Sequence, residues 1–241
     1  MSAAGGANRI LIRPSTLGIV ASACLLAADL VWLVLVRPPG FAFLAAWFGA
    51  LAVLGAFLPG LANQVTLSRA HLAGPALVYS LLPSRLVQLA AVVSLAGISD
   101  LVDGTIARRS GSSTRLGGGL DPVVDGVFFG AVAIGLSISG AYPWWLALVV
   151  IVRYGLPADV GAGLVVAGRR PKLQHTPLGQ VSTTLIGLLL GGLALFRGLG
   201  LQTDRLLTVS EVVLPVAALA TFVNLLLANR PAFAGRPAPR R

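Results

Sequence analysis

The sequence predicts an all-α fold: a polytopic integral membrane bundle made of a six-helix core and an N-terminal two-helix hairpin. Of the 241 residues, 56% are hydrophobic and only 11% are charged, whereas soluble domains carry about 25% charged residues. The hydrophobic residues form long runs, many of them near the roughly 20 residues that cross a bilayer. Arginines cluster between these runs, as they do in the loops of membrane proteins.

Eight hydrophobic runs predict eight transmembrane helices. A basic tail, residues 1–16, precedes a hairpin at 17–62, and a Pro- and Arg-rich tail at 230–241 follows a core at 63–229. The polar segment NQVTLSR, residues 63–69, marks the boundary between hairpin and core. The runs cover about residues 17–36, 41–60, 72–82, 86–102, 120–138, 142–168, 180–196 and 207–228.

The distribution of positive charge predicts the orientation. With the N-terminus in the cytoplasm, thirteen of the 18 lysines and arginines lie on the cytoplasmic side, which is the usual bias. A single lysine beside many arginines and 29 glycines is typical of a GC-rich bacterial genome, so we expect a multi-pass protein of a bacterial inner membrane. The net charge of +10 does not indicate a nucleic-acid partner, because short cationic clusters between apolar runs attract anionic lipids instead.

Four of the eight acidic residues lie within 26 residues, and helical geometry gathers them on two faces. At about 100° per residue, two aspartates share one face of the fourth helix with two small residues: Asp100, Asp103, Gly104 and Ala107. On the fifth helix a four-residue repeat aligns Gly117, Asp121 and Asp125. If the two faces meet, four carboxylates converge at the cytoplasmic end of the bundle.

Four ionised carboxylates in a low-dielectric pocket require protonation or neutralising cations. Oxygen ligands favour Mg²⁺ or Mn²⁺, and this many carboxylates suggests two ions, which commonly hold a phosphate-bearing substrate. The small residues would let a planar group approach the backbone, and Arg108 could contact a phosphate. In the alternative interpretation the aspartates only pair with Arg108, Arg109 and Arg115. Ionisable residues in membrane segments favour a functional site instead.

The pattern Asp100-x2-Asp103-Gly104-x2-Ala107-Arg108-x8-Gly117-x3-Asp121-x3-Asp125 resembles, at every fixed position, the signature of the CDP-alcohol phosphotransferases. Upstream, Asn63-x2-Thr66-x2-Arg69 resembles the entry to that family's first core helix. The resemblance covers about residues 63–229 and leaves the hairpin as an addition to the common core.

The resemblance implies a membrane enzyme of phospholipid synthesis. Such enzymes displace CMP from a CDP-linked lipid, here expected to be CDP-diacylglycerol, by the hydroxyl of an acceptor alcohol, using two divalent ions, Mg²⁺ or Mn²⁺. By resemblance, Asp125 is the catalytic base, close to the second ion, and the protein is a homodimer. The metal that grips the pyrophosphate would be held by Asp100, Asp103 and Asp121. The CDP site would be formed by Asp103, Gly104, Ala107, Arg108 and Gly117.

The acceptor is not specified by the signature. Phosphorylated acceptors need extra cations, for which Arg69, Arg153 and Lys172 are candidates. Arg153 interrupts an apolar helix, so it either faces substrate or pairs with Asp159. The segment LGQVSTTL, 178–185, resembles a Gly-Lys-x-x-Thr segment of phosphatidylglycerophosphate synthases, with glutamine in place of the lysine. Glycerol 3-phosphate is the expected acceptor; inositol phosphate and phosphatidylglycerol, as in cardiolipin synthesis, are alternatives.

Other features leave alternatives open. His71 and His175 are expected in loops at the membrane interface, and Asp29, in the first apolar run, is either paired or functional. An intramembrane prenyltransferase also uses aspartate-rich helix pairs with Mg²⁺, but it lacks this Asp-Gly-x2-Ala-Arg arrangement. A divalent-cation transporter would need a polar path through the bilayer, whereas these aspartates cluster at one face.

Overall fold

The computed structural model describes residues 14–110, 117–166 and 177–233. Within these ranges the chain forms eight α-helices and no β-strand, which confirms the all-α prediction. A single 3₁₀ turn, Pro83–Arg85, joins the third and fourth helices. The helices are α1 (Thr16–Val36), α2 (Phe41–Ala56), α3 (Leu61–Leu81), α4 (Leu86–Ser110), α5 (Gly117–Ile138), α6 (Trp144–Val166), α7 (Pro177–Gly198) and α8 (Asp204–Phe233).

Five of these helices are long and apolar enough to cross a bilayer, namely α1, α4, α5, α7 and α8. Two shorter apolar helices accompany them, Phe41–Ala56 and Trp144–Pro157. The chain is therefore a multi-pass membrane protein. The sequence predicted eight transmembrane helices, and five of the described helices meet the length and composition requirement. The large hydrophobic side chains that α1 and α8 leave exposed form faces suited to lipid.

The third helix differs most from its prediction. Its apolar run was expected near Leu72, yet α3 begins at Leu61 and includes the polar segment 63–69. Most of the polar side chains are buried there, and backbone carbonyls accept hydrogen bonds from Asn63, Gln64 and Thr66. Gln64 donates to the carbonyls of Gly55 and Leu58 at 2.8 Å each, so it caps the end of α2 with its amide. The polar residues thus belong to an enclosed helix and not to a linker.

Helix α3 lies between the N-terminal hairpin and helices α4 and α5. It packs most extensively against α5 and α4, while the α1–α2 hairpin contacts it from another side. The contact with α5 brings the helices close: a Cβ atom on Gly135 would overlap Ser80 Oγ. The main hydrophobic core extends from α3 to α8 and contains fully buried side chains such as Leu89, Phe128, Leu136, Leu146, Leu190 and Leu193. Helix α3 therefore has a hairpin face and a core face.

Candidate active site

The core face of α3 inserts a buried arginine among three of the predicted aspartates. One terminal nitrogen of Arg69, Nη1, lies 2.7 Å from Asp100 Oδ1 and 2.6 Å from Asp125 Oδ1. The other, Nη2, lies 2.5 Å from Asp121 Oδ1. Asp100 belongs to α4, whereas Asp121 and Asp125 follow each other by one turn on α5. Two faces that the sequence predicted to meet are thus joined by a guanidinium from a third helix.

The three carboxylates differ in burial. The side chain of Asp125 is 3% exposed, that of Asp121 is 23% exposed, and that of Asp100 is 45% exposed. Arg69 is as buried as Asp125, with 3% of its side chain exposed. Electrostatic interactions strengthen in such a low-dielectric interior, so the Arg69–Asp125 pair is the firmest part of the cluster. Asp100 is therefore the accessible end of the cluster, and Asp125 is its buried end.

A second buried arginine, Arg153, lies between α6 and α7. Its Nε donates to Ser182 Oγ at 2.8 Å, and its Nη2 donates to Gly179 O and Thr183 Oγ1 at 3.0 Å each. The guanidinium carbon also lies 4.2 Å from the ring centroid of Tyr154, a cation–π distance. Within the described residues Arg153 forms no ion pair with a carboxylate, and Asp159 is exposed. Of the two alternatives left open for Arg153, pairing with Asp159 is not observed among the described residues.

A sequence profile of the CDP-alcohol phosphatidyltransferase family matches residues 60–223. The chain belongs to this family. The match begins at the start of α3 and extends into α8, so it contains both arginine clusters and excludes the α1–α2 hairpin. This confirms the family that the aspartate signature indicated.

Curated relatives carry the names of two kinds of phosphatidyltransferase. A Mycobacterium tuberculosis protein named "Putative cardiolipin synthase" is 36% identical over 97 residues, which are 40% of this chain and 42% of that protein. A Streptomyces coelicolor "Cardiolipin synthase (CMP-forming)" is 34% identical over 92 residues, 38% and 42% of the two chains. A Salmonella choleraesuis "CDP-diacylglycerol--glycerol-3-phosphate 3-phosphatidyltransferase" is 34% identical over 98 residues, 39% and 53%. The match spans about two fifths of the Mycobacterium relative.

The structure describes only part of the family signature. Asp103, Ala107 and Arg108 lie on helix α4 and Gly117 begins α5, but their surroundings are outside the described side chains. Gly104 is partly buried on α4. Arg115, Arg169, Arg170, Lys172 and His175 lie outside the described residues. The signature's three described aspartates converge; the roles predicted for the remaining positions stay predictions.

The sequence did not identify Arg69 as the partner of the carboxylates. The sequence suggested Arg108, Arg109 and Arg115, which are close in the chain, whereas the described partner is Arg69 from a different helix. A signal was present: Asn63, Thr66 and Arg69 recur every three residues and so lie along one side of α3. This spacing identified a family motif but did not reveal which residues that side of the helix contacts.

The carboxylate cluster offers oxygen donors to a metal ion. Carboxylate oxygens from two helices are the ligands that Mg²⁺ and Mn²⁺ prefer, and Arg69 alone carries one positive charge against three carboxylates. Among the described side chains, no group of three His, Cys, Asp or Glu residues forms a ready-made metal cage. The donor set fits a hard divalent ion; the present arrangement is organised by the guanidinium.

The hairpin face of α3 carries a further buried pair, Asp29 and His71. His71 Nδ1 lies 2.5 Å from Asp29 Oδ2, and the side chains are only 3% and 11% exposed. The prediction that His71 lies in an interfacial loop is wrong, because His71 is inside α3 and packs under the hairpin. Of the alternatives left open for Asp29, pairing is observed.

Proposed function

We propose that this protein transfers a phosphatidyl group from a CDP-linked lipid, CDP-diacylglycerol, to an alcohol and releases CMP. The observation that carries the proposal is the convergence of Asp100, Asp121 and Asp125 from two helices of the family signature on one buried centre. Membership of the CDP-alcohol phosphatidyltransferase family supports the reaction type. The names of the relatives support a CDP-diacylglycerol donor and a CMP product.

Asp125 is proposed as the general base. Its carboxylate is the most enclosed of the three, so water competes least with an acceptor hydroxyl for its oxygen atoms. Asp125 Oδ1 is held 2.6 Å from Arg69 Nη1, which orients the carboxylate. A base must lie within hydrogen-bond reach of the hydroxyl that it deprotonates, and a fixed carboxylate meets this requirement reproducibly.

Two divalent ions, Mg²⁺ or Mn²⁺, are proposed as cofactors. Their ligands would be Asp100, Asp103, Asp121 and Asp125. When bound, the ions would neutralise the pyrophosphate of the donor and the charge that develops on the departing CMP. Arg69 would keep the described carboxylates gathered in one place, so that they need not overcome their mutual repulsion when the donor arrives.

The CDP moiety is proposed to bind at the end of α4 and the start of α5. Residues of small volume there would let the cytosine ring approach the backbone, and a cationic side chain would contact the phosphates. The proposed set is Asp103, Gly104, Ala107, Arg108 and Gly117.

Glycerol 3-phosphate is proposed as the acceptor, with Arg153 as its phosphate contact. The guanidinium is buried and held by neutral oxygen atoms, so its positive charge stays available to an anion. Its Nη1 makes no hydrogen bond to any described residue. Lys172 would add a second cation. Phosphatidylglycerol is the second candidate, supported by the relatives named cardiolipin synthase, and its internal phosphate could use the same contact.

The proposed setting is the inner membrane of a bacterium, with the carboxylate cluster at the cytoplasmic face, anionic lipids around the basic loops and a homodimer as the assembly. The bias of arginine and lysine toward the side that carries this cluster supports the orientation. Bacterial relatives support the bacterial membrane.

The test is CMP release by purified protein in detergent micelles that contain CDP-diacylglycerol. Reactions with Mg²⁺ or Mn²⁺ receive one acceptor each: glycerol 3-phosphate, phosphatidylglycerol, inositol phosphate, inositol or serine. We expect CMP and a labelled lipid with glycerol 3-phosphate, and about a thousandfold less CMP with the Asp125→Asn variant. Asp204→Asn, which changes an exposed carboxylate at the start of α8, is the matched control and should retain full activity.

The result that contradicts the proposal is a folded protein that releases no CMP with any acceptor. Formation of cardiolipin from phosphatidylglycerol, without a product from glycerol 3-phosphate, would replace the acceptor but keep the reaction. Uptake of Mn²⁺ into proteoliposomes without CMP release would favour the transporter alternative instead.

A further inference from the structure

The contact between the hairpin and α3 includes a buried ionisable pair, Asp29 and His71. Asp29 is on α1, a helix with mean hydropathy 2.5 over its apolar window, and carboxylates inside membrane helices are costly and tend to be functional. Its oxygen meets His71 of α3 at 2.5 Å. The imidazole stacks on Phe48 of α2 with the ring planes 3° apart. Asp29 and Phe48 therefore hold the His71 ring from both helices of the hairpin.

The position of His71 along α3 connects this pair to the carboxylate cluster. His71 follows Arg69 by two residues, which corresponds to about 200° around an α-helix. The two side chains therefore project from nearly opposite sides of α3, His71 toward the hairpin and Arg69 toward α4 and α5. Because a helix turns as a rigid element, a rotation of α3 that moves His71 also moves the long side chain of Arg69.

Besides the two bonds of Gln64 to Gly55 O and Leu58 O, near the start of α3, further side-chain contacts link the hairpin to α3. Trp47 donates from its Nε1 to the carbonyl of Ala70 at 3.2 Å, and Trp32 donates to the hydroxyl of Tyr79 at 2.8 Å. The first is a long bond to backbone, and the second lies two turns farther along α3. Within one turn of Arg69, the described side-chain hydrogen bond between α1 and α3 is the one that joins Asp29 and His71.

We propose that Asp29 and His71 are positioning residues that set the rotation of α3 and so place the Arg69 guanidinium among Asp100, Asp121 and Asp125. The hairpin, which lies outside the matched family region, thereby becomes part of the scaffold of the site. Its effect on catalysis rests on the proposed function, whereas its effect on Arg69 is a structural property that can be measured without turnover.

The experiment combines arginine side-chain NMR with kinetics on the full-length protein in detergent. Protein labelled with ¹⁵N-arginine is compared with Arg69→Lys, whose missing signal identifies Arg69. In Asp29→Asn we expect the Arg69 side-chain signal to shift or broaden. The matched control is Trp32→Phe, which removes a second described side-chain hydrogen bond between α1 and α3 and should leave the Arg69 signal in place.

The kinetic arm measures CMP release per folded protein, with the folded fraction determined by size-exclusion chromatography. We expect Asp29→Asn to lower kcat about tenfold with less than a twofold change in the KM for CDP-diacylglycerol. The double variant Asp29→Asn with Arg69→Lys should be no slower than Arg69→Lys alone, because both changes act through the same guanidinium. The exchanged pair Asp29→His with His71→Asp should recover at least half of the lost activity.

The NMR and kinetic results show separately whether the positioning role fails and whether the proposed function fails. An unchanged Arg69 signal in Asp29→Asn overturns the inference. So does a double variant, Asp29→Asn with Arg69→Lys, whose fold-loss of kcat equals the product of the two single losses. A lowered melting temperature with unchanged signal and kcat would also overturn it, since the pair would then only stabilise the fold. A shifted Arg69 signal in a protein that releases no CMP supports the positioning role and contradicts the proposed function.

Discussion

The two buried arginines among the described side chains have opposite surroundings. Arg69 is bound by the carboxylates of three aspartates, whereas the partners of Arg153 are two hydroxyls and a carbonyl. A guanidinium among carboxylates has its charge neutralised, and removing it leaves like charges facing one another. A guanidinium held by neutral oxygen atoms is oriented without being neutralised. The first is suited to organising a charged site and the second to binding an anion from outside.

The largest loss of activity is expected from a change at Asp125, the most buried of the carboxylates that contact Arg69. Asp125→Asn keeps the shape of the side chain but removes the proposed base, and general-base catalysis contributes about 10²–10⁴-fold. We expect CMP release per folded protein to fall about a thousandfold. Radiometric CMP release checks this. Activity within tenfold of the unmodified protein would exclude Asp125 as the base.

The next effect, on stability and activity together, is expected from the arginine itself. Arg69→Ala leaves Asp100, Asp121 and Asp125 without the guanidinium that they share, and breaking a buried ion pair costs about 3–5 kcal/mol. Arg69→Lys retains the charge but not the forked geometry, so its loss should be smaller. Thermal unfolding in detergent measures both variants. Equal melting temperatures for Arg69→Ala and the unmodified protein would refute a structural role.

A smaller and more selective effect is expected at the second arginine. Arg153→Gln removes the charge proposed to contact the acceptor phosphate, and a hydrogen bond to a charged group contributes about 1.5–3 kcal/mol. The KM for glycerol 3-phosphate should rise at least about tenfold, while the KM for CDP-diacylglycerol stays the same. Arg197→Gln, in the last turn of α7, is the control. Equal increases in both KM values would contradict a specific acceptor contact.

The smallest effect is expected from one of the neutral partners. Thr183→Val removes the hydroxyl that accepts from Arg153 at 3.0 Å, and a single such bond contributes about 1 kcal/mol. The KM for the phosphorylated acceptor should rise about fivefold. Thr184→Val is the matched control, because the Thr184 hydroxyl is exposed and bonds to the carbonyl of Gln180 instead. If both variants behave alike, the orientation of Arg153 does not limit acceptor binding.

The sequence predicted individual helices better than their boundaries. Long apolar runs located seven of the helices closely, but α3 was shortened because its first ten residues include buried polar groups that resemble a loop. Hydropathy measures whether a segment prefers lipid; it does not detect a polar helix enclosed by other helices. The helix faces that carry Asp100 and Asp125 were predicted correctly, since periodicity depends only on the local backbone.

The sequence by itself determined that this is an all-α membrane protein of the CDP-alcohol phosphatidyltransferase family, because composition and a fixed-spacing motif are local properties. Only the tertiary structure decided which side chains complete the motif. Arg69 is 31 residues from Asp100 and 56 from Asp125, and Asp29 is 42 residues from His71. Helical periodicity shows which side of a helix a residue occupies, but the neighbour on that side depends on how the helices pack.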